Sequence, residues 1–583
     1  MTDEGDVPGV HPMARPEVRI LLGCLPCLLA GAGCVAAPRP APRLESGSLR
    51  FSGEIALAIV EEYATRFTRR HSGMPNNLAA AQWFGDELRR AGWECALDSW
   101  PVVNHSRAIA MHNEVCTLAG RGPRSIVVVA HHDQSPETVQ GADNDGSGIS
   151  ILVHLGQIFG AESPPAHTLV FVSTDGEEYG MLGARRYLRT HPAPERILAA
   201  VSLDNLGKRW SNGLKVETIG QFRGTSPLWL LLTAQAAAAA AGEAWAPAID
   251  PPLFQALSQA VPISFMDQGP FVAAGVPALG LATTFPAEAQ ELHYNSYHNL
   301  ADTIELQSAA VLGHSGRAAE ALVRELLARE DFPGERGPYL YFEAAGVTLR
   351  GLPLSLLLLL VAAPFAAVSW RTAGEGWGRL HEAWRRALPH WLSLWAPWVG
   401  SILLLRALVE AGLLDRYALY FATPKDPALT SPRWPAIGLY LAGLGFLFWA
   451  CRRGAGRAHA RGGPSYGDVR SLAAFACALT GLYILVFNPF SLLFLAPCLA
   501  WLWIGGRRGP GWWIDLVLFL AGGVVVYGLL YYFGFVILRI GWAVLWYVLN
   551  MFSIPMVNFP TALVVGAILA SGLSLIIRPA AAG

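Results

Sequence analysis

Beyond Gly346 the sequence breaks into apolar runs at about 352–370, 392–413, 435–451, 471–488, 490–505, 512–533 and 560–577, most of them near the length that crosses hydrocarbon as a helix. This limits the fold more than any other feature, because backbone inside lipid must satisfy its own hydrogen bonds and an α-helix does so within one segment. Of the 20 Trp, fourteen lie at or after Trp370, many at run ends, as interfacial belts require. With 53% hydrophobic and 15% charged residues, the chain is too apolar to be wholly soluble. Residues 346–583 are therefore expected to form a multi-pass domain of seven spans in a lipid bilayer. Val536–Met556 carries Arg539 and reads as an interfacial helix.

Arginine placement sets the orientation. Arg371, Arg379, Arg385 and Arg386 follow the first run, Arg452, Arg453, Arg457, Arg461 and Arg470 the third, and Arg507 and Arg508 the fifth. These alternate loops belong on the cytoplasmic side, which puts the segment before the first run outside. The N-terminus agrees. Ile20–Ala37 is apolar, follows Arg15 and Arg19 and precedes a Pro-rich stretch, as in a signal sequence or an uncleaved anchor. Cys34, after Gly31-Ala32-Gly33, is a candidate for lipid attachment. Residues 1–43 are thus read as tail and signal or anchor, 44–332 as a folded exported domain and 333–345 as a linker. In an exported domain Cys95 and Cys116 can pair, although two separate buried thiols would also fit. Net charge is −1, from 43 Lys and Arg against 44 Asp and Glu, which gives no footprint for nucleic acid.

Residues 54–93 suit two helices separated by Gly73-Met74-Pro75, and strands and helices alternate from there to about residue 330. The Ala234–Ala241 run reads as packing filler within a helix. Such alternation predicts an α/β fold: a mostly parallel mixed sheet flanked by helices. The run SIVVVA, Ser125–Ala130, reads as a buried strand that delivers His131-His132-Asp133 and then Gly141-Ala142-Asp143-Asn144-Asp145-Gly146-Ser147-Gly148. Ligand sites of α/β sheets lie at strand carboxyl ends. Three further apolar runs end in ligand-type residues: Thr168–Thr174 before Asp175-Gly176-Glu177-Glu178, Leu198–Leu203 before Asp204, and Pro277–Ala282 before the loop to Tyr297-His298.

HxD at His131–Asp133, GADNDGSG at Gly141–Gly148, GEEYGMLGA at Gly176–Ala184, LDN at Leu203–Asn205 and YHNLADT at Tyr297–Thr303 resemble, in order and spacing, the co-catalytic zinc aminopeptidases. The likeness covers roughly residues 55–330, with an RHSG entry at Arg70–Gly73 and the segment Asp267–Leu279. It implies a zinc exopeptidase fold, a peptide substrate and two zinc ions, which in such sites lie about 3.5–4 Å apart and share a carboxylate. By resemblance Asp143 is that bridge, Glu178 and His298 complete one zinc site, and His131 and Asp204 complete the other. Asp133 and Asp302 resemble the carboxylates that fix the imidazoles of His131 and His298. Glu177 adjoins a ligand without being one, and so resembles the general base. His132 is expected to point to the opposite face of its strand.

The leading expectation is a membrane-tethered zinc aminopeptidase. In layout, though without shared motifs, it is similar to the endoplasmic-reticulum and vacuolar membrane metallopeptidases. The alternatives are a glutaminyl-cyclase-like acyltransferase, which typically keeps one zinc, and a non-catalytic receptor or scaffold on a peptidase fold. Protein partners are unknown from the sequence.

Overall fold

The computed structural model describes residues 35–36, 48–104, 107–242, 245–334, 337–350, 354, 377–414, 433–459, 462–495, 512–537, 539–551 and 559–577. Ten strands occur among them: β1 (Val35–Ala36), β2 (Glu94–Asn104), β3 (Arg107–Leu118), β4 (Gly122–His131), β5 (His167–Thr174), β6 (Ile197–Leu203), β7 (Gly213–Glu217), β8 (Ala278–Thr284), β9 (Tyr339–Phe342) and β10 (Val347–Arg350).

Seven strands form the main sheet, in the order β2-β3-β5-β4-β6-β8-β7. The four central strands β5, β4, β6 and β8 are parallel, and β2, β3 and β7 join antiparallel at the edges. This is the mixed, centrally parallel sheet predicted. Its centre is buried on both faces, which is why β4 and β5 read as unbroken β-branched and apolar runs. Ile126, Val127, Val128 and Val129 are all fully buried, each contributing about 1.5–3 kcal/mol of transfer free energy.

The helices Gly53–Arg66, Gly148–Gly160 and Ala309–Leu327 cover one face, packing Val60, Leu152, Leu155, Leu322 and Leu326 against Ile126, Val128 and Phe171. The helices Leu182–Thr190 and Gln268–Ala273 cover the other, with Ala184, Tyr187 and Phe271 on Val127, Val129 and Val172. Two of these helices start where the sequence supplies a cap: Ser52 accepts from the Ile55 N–H and Ser308 from the Val311 N–H. The two helices read on either side of Gly73-Met74-Pro75 are Gly53–Arg66 and Pro75–Arg90. The alanine-rich stretch lies in the helix Leu228–Ala241, where Ala234, Ala237 and Ala238 are buried. Cys95 and Cys116 stand directly opposite on β2 and β3 and form a disulfide.

The stretch read as a linker is partly ordered sheet. β9 and β10 pair with each other and with β1, and Gln255 and Gln259 bond the backbone of Tyr341 and Tyr339.

C-terminal to this, four helices among the described residues are long and apolar enough to cross a membrane: His381–Glu410, Trp434–Ala458, Tyr466–Phe487 and Phe559–Ile576. Trp512–Gly522 and Val524–Val536 form a bent pair that would make a fifth span if taken as one. Of the seven expected runs, all of 352–370 but Leu354 and most of 490–505 lie outside the described residues, as do most of the signal or anchor segment and Cys34. The interfacial reading of 536–556 meets a short helix, Ala543–Met551, preceded by Arg539. Arg539 pairs with Glu291 at 2.9 Å and stands 4.0 Å from the Tyr294 ring. Asn488 and Ser491 bond the carbonyls of Gln259 and Ala260. The helical region therefore meets the α/β domain on the helices Pro252–Ala260 and Gln290–Ser296, and the second of these leads straight into Tyr297 and His298.

Candidate active site

The parallel strands bring their carboxyl ends level. His131 closes β4 opposite Thr174 of β5, so the Asp175–Glu178 turn starts beside it. β6 ends at Leu203 and delivers Asp204, while β8 ends at Thr284 ahead of the segment carrying His298. Arg70, fully buried, braces the intervening loop: its guanidinium donates to Gln134 Oε1 at 2.8 Å, to Gly141 O at 2.7 Å and to Gln140 O. Ser72 donates to Asp175 Oδ1 at 2.6 Å. The RHSG segment thus clamps two loops of the site. The Asp145 carboxylate takes the N–H of Gly148 at 2.8 Å and of His131 at 3.2 Å. A Cβ on Gly148 would stand 2.4 Å from that carboxylate, so only glycine lets the helix Gly148–Gly160 begin there.

Four of the five expected ligands gather in two pairs. His131 Nε2 lies 3.7 Å from Asp204 Oδ1, and His298 Nε2 lies 2.9 Å from Glu178 Oε1. Between the pairs stands Asn144, whose Oδ1 is 2.9 Å from His131 Nε2 and whose Nδ2 donates to Glu178 Oε1 at 2.8 Å.

The fifth expected ligand, Asp143, is elsewhere, which corrects its reading as the bridge. Its Oδ1 accepts from the Gly207 N–H at 2.9 Å and from Gln307 at 3.5 Å, and its Oδ2 lies 3.3 Å from the ammonium of buried Lys208. Successive side chains in this turn diverge, so the amide of Asn144 faces the centre and the carboxylate of Asp143 faces Lys208. Asp302 also differs from expectation. Both its oxygens hold backbone, accepting the N–H groups of Asp143 at 2.9 Å and Asn144 at 3.0 Å, so it orients the turn and not the His298 ring. Asp133 has a double role: its Oδ1 lies 3.4 Å from His131 Nδ1, and its oxygens also take the N–H groups of Glu177 and Glu178. His132 turns to the other face and bonds Ser173 Oγ at 2.9 Å.

Sequence reasoning missed Asn144 and Lys208 as site residues. Asn144 lay in plain view within GADNDGSG, and an amide between two carboxylates was the available signal. Lys208, four residues after Asp204, follows no spacing rule.

The site is crowded with buried carboxylate. Burial pushes Glu177 well above the usual carboxylate range, and the charges of Glu178, Asp204 and Asp267 act in the same direction against the pull of His131. Burial likewise raises Asp145 well above it, aided by Asp204 and Asp143. Asp267 is pushed up to about 7 and Asp302 to about 6, in each case chiefly by burial. Burial works against the His131 imidazolium, yet hydrogen bonds with Asp133 and Asp204 and the charges of Glu177 and Asp145 hold it well above its ordinary value. His132, buried and with fewer compensating partners, drops to about 3.

Glu177 Oε1 is buried without a hydrogen-bond partner, and His298 Nε2, 2.9 Å from Glu178 Oε1, makes no well-aligned hydrogen bond there. Orphaned donors and acceptors amid excess negative charge fit a bound cation, and imidazole with carboxylate suits zinc. A ligand atom each from His131, Asp145 and Asp204 lies within 4.8 Å of the others. A second ion sharing a carboxylate does not fit, because the side chain at the midpoint is a neutral amide.

A centrally parallel sheet thus collects two His–carboxylate pairs and Glu177 at its strand ends, the arrangement that the resemblance to zinc aminopeptidases led us to expect. Residues 113–323 match the model of peptidase family M28. An alkaline phosphatase isozyme conversion protein of Escherichia coli is 26% identical over 184 residues, 26% of this chain and 51% of that protein. A vacuolar membrane protease of Vanderwaltozyma polyspora is 32% identical over 97 residues, 16% of this chain and 10% of that protein. The chain thus spans about half the length of the first relative and about a tenth of the second. Similar solved structures include glutaminyl cyclases and a zinc aminopeptidase from Bacillus subtilis. The latter is 15% identical, with 49% of this chain and 98% of that one covered at a TM-score of 0.42.

Proposed function

We propose that the chain is a membrane-tethered, zinc-dependent peptidase that removes N-terminal residues from peptides on the extracytoplasmic side of the cell membrane. The observation that carries this reading is Glu177. The residue is only 6% exposed, its backbone is fixed by Asp133, and its Oε1 has no hydrogen-bond partner beside two His–carboxylate pairs. His131 and Asp204 would hold zinc on one side of Asn144, and Glu178 and His298 line the other. Zinc, when bound, lowers the pKa of a coordinated water and polarises the scissile carbonyl. Glu177 accepts a proton from the attacking water at Oε1 and returns it to the leaving amine. Asp133 orients both His131 and the Glu177 backbone, coupling base to ligand. The acidic walls of the site favour a substrate ammonium, which supports action at a free N-terminus. Cleavage of unblocked peptides with N-acetylated ones spared is the expected result, and equal cleavage of both would reject the aminopeptidase assignment.

A second reading, cyclisation of N-terminal glutamine on the same fold, is favoured by one observation: the amide of Asn144 where a shared carboxylate would be needed for two ions. Release of pyroglutamyl product instead of a free amino acid would select it.

A further inference from the structure

We propose that the site binds a single zinc ion, on the His131–Asp204 side of Asn144, and that Asn144 is the residue that prevents a second. The inference rests on the zinc reading above and adds its stoichiometry and place.

Asn144 presents opposite chemistry to its two neighbours. Toward His131 Nε2, 2.9 Å away, it turns the carbonyl oxygen Oδ1, a lone-pair donor that can join His131 and Asp204 around one cation. Toward Glu178 Oε1, 2.8 Å away, it turns the NH2 group, which carries hydrogens and no available lone pair. The His131 side therefore has three donors, with Asp145 close by, and its imidazole is braced at Nδ1 by Asp133. The Glu178–His298 side has two donors and faces an N–H. Glu178 Oε1 accepts that N–H and also faces His298 Nε2, so it acts as the hydrogen-bond acceptor that keeps Asn144 in this orientation.

Neighbouring groups leave no substitute for the missing bridge. Of the two carboxylates adjacent in sequence, Asp143 is paired with Lys208 and bonded to the Gly207 N–H, and Asp145 accepts the N–H groups of Gly148 and His131. Asp302 is committed to the backbone N–H groups of Asp143 and Asn144. A carboxylate at position 144 would reverse the balance, since two equivalent oxygens can serve a cation on each side.

The test is the zinc content of the full-length protein in detergent, stripped with a chelator and titrated with zinc alone, read by calorimetry and elemental analysis. Wild type is expected to take up one ion per chain. That ion should be lost in His131→Ala and kept in His298→Ala, and Asn144→Asp should raise the content to two. Two ions in wild type, or one ion that survives His131→Ala and disappears in His298→Ala, would overturn the inference while leaving the zinc reading intact. No ion in wild type would remove both. Should Asn144→Asp fail to fold, the wild-type stoichiometry and the contrast between the two His variants still decide the matter.

Discussion

The ammonium of Lys208 lies 3.3 Å from Oδ2 of Asp143, and both side chains are about 1% exposed. A buried ion pair of this kind is costly to break from one side, because the remaining charge is left in a low-dielectric interior. Asp143→Ala is therefore expected to lower stability by about 3–5 kcal/mol while leaving the zinc content of the folded fraction unchanged. Chemical denaturation paired with metal analysis separates the two effects. Loss of zinc without loss of stability would return Asp143 to the role of ligand.

The site should also make the metal-stripped protein sensitive to alkali. Asp175 and Asp267 are pushed up to about 7 and Asp302 to about 6, chiefly by burial, against unfolded values near 4. A raised carboxylate contributes stability that is fully present below its unfolded pKa and lost as pH rises through its folded one. Between pH 6.5 and pH 8 the stripped protein should therefore become less stable as pH rises. Below about 6.5, buried histidines with lowered pKa such as His132 and His293 act the other way, since the unfolded chain then takes up protons they refuse. Thermal unfolding at pH 6.5 and pH 8 checks the sign, and Asp267→Asn should flatten the trend.

How far the sequence reached is visible in these residues. The sheet was legible because buried parallel strands demand β-branched runs, and β4 and β5 supply them almost without interruption. That His131 meets Asp204 and Glu178 meets His298 was legible because each follows directly on a strand end or an ordered motif. The contrast between Asp143 and Asn144 was not. Adjacent side chains in an irregular turn face different ways according to backbone torsions, here φ −108° and ψ 95° at Asn144, and residue type alone does not encode them. Lys208 and the backbone-holding role of Asp302 depend on contacts across more than 60 positions of sequence, which local patterns do not carry.

Membrane orientation yields a separate expectation. Arg-rich segments after alternate apolar runs would put Gly463 in the cytoplasm and Gly334 outside. A reporter active only outside should work when fused near Gly334 and fail near Gly463. The Cys95–Cys116 pair offers an independent check, because disulfides persist in oxidising compartments. Protein isolated with thiols blocked should show these two cysteines unlabelled until reduction. Equal reporter activity at both sites, together with labelled cysteines, would reverse the assignment.

The central claim is that Glu177 moves the proton and does not hold the metal. Glu177→Gln preserves size and leaves Oε1 as a neutral acceptor, so turnover of an unblocked peptide should fall by roughly 10²–10⁴-fold while zinc content and fold stay as in wild type. Measured together on the same purified protein, full activity in Glu177→Gln, or loss of zinc in step with loss of activity, would contradict the account.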